Sequence, residues 1–78
     1  MLNNHPIKGE LVKLAQGTVT YKKTRSSSTV ELDLVFAEKV EKPSVAIYIE
    51  QFNDSVSKIV LGEDIRYVPT EWLYEVKV

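Results

Sequence analysis

The sequence predicts an all-β fold, a small closed or nearly closed barrel of five to six short strands with one 3₁₀ turn near the C-terminus. Three observations carry this expectation. Val30-Glu31-Leu32-Asp33-Leu34-Val35-Phe36 sets Val30, Leu32, Leu34 and Phe36 at every second position, the period of a strand with one wet face. Residues 44–52 form a second apolar stretch, rich in β-branched residues, behind Pro43. Turn-forming residues recur at Gln16-Gly17, Asn53-Asp54-Ser55 and Gly62-Glu63-Asp64, leaving no room for a long helix. Closure is the economical arrangement because it removes exposed strand edges.

Each element follows in order. Residues 1–7 are expected to fray, and residues 8–78 to form one domain. Gly9 to Ala15 and Thr18 to Tyr21 read as two strands or one bent strand, broken at Gly17, where a glycine permits a positive φ or a bulge. Thr24 to Ser28 is a polar loop. A helix competes for residues 29–42, since Val30, Leu34 and Ala37 also fall at helical spacing and Ser28 with Glu31 can form a capping box. The period-two run favours the strand. In the next segment Val45, Ile47 and Ile49 take one face and Ala46 and Tyr48 the other, as in a central strand covered on both sides. Val56 to Leu61 and Ile65 to Val68 form a hairpin, Pro69 stops its ladder, and Tyr74, Val76 and Val78 alternate as a last strand. The expected core is Leu11, Val19, Val30, Leu32, Leu34, Phe36, Val45, Ile47, Ile49, Val60, Ile65, Val68, Leu73 and Val76.

Composition bounds the function. Seventy-eight residues make one domain, of a size that buries only about 60% of its unfolded surface. The absence of cysteine excludes disulfides, thiolate metal sites and cysteine nucleophiles. His5 is the single histidine, so a three-histidine metal site is impossible on one chain, and Ser26 to Ser28 have no nearby base. Gly9, Gly17 and Gly62 are scattered and form no phosphate loop. No enzyme, metal or cofactor is expected. The N-terminus lacks the basic and apolar regions of a signal peptide, and the run Val45 to Ile49 is far short of the roughly 20 residues of a membrane helix, so a cytoplasmic protein without membrane contact is expected. The net charge of −1 conceals a division. Residues 1–30 hold five bases against one acid, or +4, and residues 31–78 hold five against ten, or −5.

Tyr67-Val68-Pro69-Thr70-Glu71-Trp72-Leu73 is the most specific stretch, a strand ending at proline followed by one helical turn and an apolar strand. Thr70 is placed to cap that turn, and Glu71 suits its positive end. The segment resembles the closing segment of SH3 domains, aromatic-aliphatic-Pro-Ser-Asn-Tyr-Val. Pro69 falls on the family's proline, Thr70 on its serine, Trp72 on its tyrosine and Leu73 on its valine. Gly62 sits where the family often has a loop glycine. The Ala-Leu-Tyr-Asp-Tyr signature and the central tryptophan pair are absent, so the resemblance implies an SH3-like barrel without the proline-peptide groove, similar to stand-alone bacterial and phage barrels.

Two candidate surfaces follow. Trp72 with Tyr67, Pro69 and Tyr74 is the candidate aromatic docking patch, although the sequence slightly favours Trp72 as a plug closing the barrel end. Tyr21, Lys22, Lys23 and Arg25 offer bases and a stacking ring to nucleic acid, but a solvated hairpin tip is favoured, given a pI near 5.8. Glu31 and Asp33, two apart on a strand, are read as a solvated face. The expectation is a non-enzymatic protein-binding module, an adaptor or accessory subunit acting through the aromatic patch or a sheet edge. Self-association through a sheet edge is compatible with this expectation, and nucleic-acid binding is the alternative.

Overall fold

A computed structural model describes residues 7–24 and 33–76, and the chain is all-β. Among the described residues seven strands, β1 (Leu11–Leu14), β2 (Val19–Thr24), β3 (Asp33–Lys39), β4 (Ser44–Gln51), β5 (Val56–Leu61), β6 (Asp64–Pro69) and β7 (Leu73–Glu75), form one antiparallel sheet. A 3₁₀ turn, η1 (Thr70–Trp72), separates β6 from β7. The strand order is β3-β2-β6-β5-β4-β1-β7. The count exceeds the expected five to six because Gln16-Gly17 divides the front segment into two full strands. Gly17 takes φ +90, and Thr18 N–H donates to the Ala15 carbonyl across that turn at 3.1 Å. Residues 33–39 are strand, so the helical alternative fails there, and Val30, Leu32, Arg25, the Ser26 to Ser28 loop and Glu31 lie outside the described residues.

The sheet carries one buried core. Val12 and Leu14 of β1, Ala46 and Tyr48 of β4, Ile59 of β5, Val68 of β6 and Leu73 of β7 meet there, with Val40 from the β3–β4 connection and Leu61 at the margin. The five strands that supply it are consecutive in the sheet order, from β6 through β5, β4 and β1 to β7. Thr18, Thr20 and Ser57 are buried among them. Thr18 Oγ1 donates to the Ala15 carbonyl at 2.7 Å and Thr20 Oγ1 to the Glu38 carbonyl at 3.0 Å, which offsets the cost of burying a hydroxyl.

The inward face corrects the sequence expectation. Val68 and Leu73 are buried as expected. Leu11, Phe36, Val45, Ile47 and Ile65 are exposed, and Val19, Leu34, Ile49, Val60 and Val76 are half-buried. In β1 the phase is set by Lys13. A core Leu11 would take Lys13 inside with it, so Val12 and Leu14 face in. Lys58 acts likewise in β5, turning Val60 out and Ser57 and Ile59 in. Register carries the choice to β4, where Val12 lies opposite Ala46 and Tyr48 opposite Ile59. Residues directly opposite share a face.

The last hairpin turn joins β5 to β6 through Gly62 and Glu63. Gly62 has φ +68 while Glu63 does not have positive φ, the type II′ pattern that matches strand twist. Arg66 ties β6 to β3, its Nε 3.3 Å from Glu38 Oε1, with Asp64 at 3.6 Å.

Candidate functional site

The passage from β6 through η1 to β7 is fixed from below by hydroxyl and amide groups. Thr70 N–H donates to the Ser55 carbonyl at 2.8 Å. Thr70 Oγ1 lies 2.6 Å from Ser57 Oγ and accepts from Gln51 Nε2 at 2.7 Å. Gln51 Oε1 accepts from Ser57 Oγ at 3.0 Å and from the Tyr48 hydroxyl at 3.2 Å. Thr70 therefore does not cap the turn as the sequence suggests. Pro69 occupies the cap position with no side-chain hydrogen bond, and the Thr70 hydroxyl is drawn down to β4 and β5. Among the described residues no buried side-chain polar atom lacks a partner. Burial pushes the Tyr48 phenol above its ordinary value of 10.0; the Ser57 hydroxyl acts in the opposite sense and the Glu50 charge adds to the rise.

Above this anchor the side chains divide. Leu73 is fully buried in the core, where the sequence expectation puts Trp72. Trp72 is 39% exposed and Tyr74 45% exposed, with Pro69 half-buried between core and solvent. The strand alternation of β7 explains the pair Leu73 and Tyr74, and a single helical turn rotates Trp72 away from the interior. Tyr67 is not part of this surface. It is 2% exposed, packed edge-on against Phe52 at 5.0 Å, and Lys23 Nζ sits 5.5 Å from its ring and 5.2 Å from that of Phe52.

The basic candidates are not gathered on one face. Tyr21 lies opposite Tyr67 and Phe36, half-buried. Lys22 lies opposite Val35, on the other side of the strand from Tyr21 and Lys23. Among the described residues no group of three or more Asp, Glu or His side chains is placed to hold a metal ion, and no helix is long and apolar enough to cross a membrane. A shallow open groove runs between the β3–β4 connection and the β5–β6 turn, lined by Phe36, Val40, Lys42, Leu61 and Gly62.

Sequence reasoning missed one surface. Leu11, Ile47, Val60 and Ile65 lie directly opposite one another along β1, β4, β5 and β6 and form an outward aliphatic row. The signal for it was present, since Leu11 shares phase with Lys13, and Val60 with Lys58. No family model matches the chain, no curated protein matches its sequence, and no solved structure matches it.

Proposed function

We propose that this protein is a non-enzymatic binding module, an adaptor or accessory subunit of bacterial or phage type that works in the cytoplasm by engaging another protein. The observation that carries the reading is the exposure of Trp72 and Tyr74 on either side of a fully buried Leu73. Two large aromatic rings are partly exposed on a hydrogen-bonded passage, and tryptophan and tyrosine are among the side chains most enriched at interface hot spots. The strand–Pro69–3₁₀–strand order supports an SH3-like assignment, and the same surface is where such a barrel presents its proline and aromatic residue. β7 adds a second means of contact. Among the described residues it pairs only with β1, so its outer edge can accept a strand from a partner. Nucleic-acid binding through Lys22, Lys23 and Arg25 is the weaker reading, because Lys22 and Lys23 leave the strand on opposite sides and Lys23 already lies against two rings.

The test compares the wild-type chain with Trp72→Ala, both immobilised and shown folded by circular dichroism, in quantitative capture from lysate of the source organism. A specific partner recovered by the wild type and depleted about tenfold by the variant, roughly 1.4 kcal/mol, is expected. Equal recovery by both, or no specific protein with either, overturns the reading.

A further inference from the structure

We infer that the aliphatic row Leu11–Ile47–Val60–Ile65 is a docking surface for an amphipathic helix whose apolar stripe is flanked by carboxylates, an inference that rests on the protein-binding reading and names a different surface for it. The row crosses four adjacent strands on the face away from the core. Leu11 is 53%, Ile47 41% and Ile65 47% exposed, with Val60 half-buried between them. Val45 (51% exposed) extends the apolar area beside Lys13. Singly exposed aliphatics are ordinary, whereas a contiguous patch on so small a domain marks an interaction site.

Geometry selects the occupant's form. Neighbouring strands stand about 4.8 Å apart, so the row presents a side chain at nearly the pitch of an α-helix, about 5.4 Å. A helix laid across the strands sets one anchor per turn against one strand per turn.

Charge selects the occupant's chemistry. Lys13 borders the row on one side, and Lys58 borders it on the other. Glu50, opposite Lys58, is the single acidic residue on that outward face of β1, β4, β5 and β6. This basic rim lies on a chain whose net charge is −1. Carboxylates along both flanks of the helix complement it. A second copy is disfavoured, because a two-fold contact through this face would set the same lysines against one another.

The probes are three synthetic four-turn peptides, a leucine stripe flanked by glutamates, the same stripe flanked by lysines, and a serine stripe flanked by glutamates. Affinity is read by fluorescence anisotropy at low and high salt. The first peptide should bind at least about tenfold tighter than either other, and weaken with salt. Ile47→Thr and, should that variant unfold, Leu11→Gln should each weaken it about tenfold, while Trp72→Ala leaves it unchanged. Equal binding of the lysine-flanked peptide, no binding of the first peptide, or no effect of a folded row variant overturns the inference. A dimer in sedimentation that Ile47→Thr dissolves assigns the row to a second copy and overturns it also. Binding lost in Trp72→Ala but kept in Ile47→Thr moves the contact to the η1 surface, so the protein-binding reading stands while this one falls.

Discussion

Leu11 and Leu14 are the same residue type in one four-residue strand, and their surroundings differ completely. Leu14 is fully buried among strands from across the sheet, and Leu11 is 53% exposed beside Ile47. Removing the buried side chain loses transfer free energy and leaves a cavity, since the hydrogen-bonded strands around it relax only in part. Leu14→Ala should therefore cost on the order of 2–5 kcal/mol, and Leu11→Ala about 0.5 kcal/mol or less. Urea unfolding of both variants, with equal slopes, measures the difference. Comparable losses would mean that Leu11 is covered and would return the inward face to the phase the alternation alone suggests. Ser57 shows the polar counterpart at this scale. It is fully buried, yet its hydroxyl reaches both Gln51 and Thr70, so its burial holds η1 to the sheet and leaves no donor or acceptor stranded.

At the scale of elements, glycine positions were the most legible feature and strand faces the least. Gly62 is the case that can be measured. It holds φ +68 in the tight β5–β6 turn, and a Cβ there would meet no atom within 4 Å. The penalty for a side chain is thus conformational and not steric crowding by neighbours. Gly62→Ala should cost about 1 kcal/mol, and Gly62→Asn less, because asparagine tolerates the left-handed region. A thermal shift of equal size for both would show that the turn has changed type. The proline-to-aromatic passage was legible for a similar reason, because Pro69 cannot continue a ladder and η1 begins directly after it. Faces were harder. In β4 both phases are apolar, Val45 and Ile47 against Ala46 and Tyr48, so hydrophobicity does not choose between them. The choice comes from β1 and β5, through Lys13 and Lys58, and reaches β4 only by register. The interior also prefers a small residue and a ring whose hydroxyl finds Gln51 to two branched aliphatics. Trp72 was misplaced by size alone. The turn geometry of η1 gives the interior to its neighbour Leu73, and no composition argument contains that rotation.

At the scale of the molecule, the core and the polar anchor are one structure, because Tyr48 belongs to both. Its ring lies with Leu14, Ile59 and Leu73, and its hydroxyl donates to the Gln51–Ser57–Thr70 group beneath η1. Ionising that phenol would place a charge in the core of a domain with little surplus stability. Burial raises its folded-state pKa above 10.0, with the Ser57 hydroxyl opposing and the Glu50 charge adding. The unfolded chain then loses this proton at lower pH than the folded chain does. In the window from about pH 10 upward the folded state binds more protons, so stability falls as pH rises. Below about pH 10 the contribution is complete and does not vary. Denaturant midpoints of the wild type and Tyr48→Phe, taken at intervals from pH 8 to about pH 11.5, isolate the effect, because lysines and the other tyrosines are common to both chains. The wild type should lose more stability than Tyr48→Phe above pH 10, and the two profiles should run parallel below it. Profiles parallel throughout would mean that the phenol titrates alike in both states, and would separate Tyr48 from the core that β1, β4, β5, β6 and β7 share.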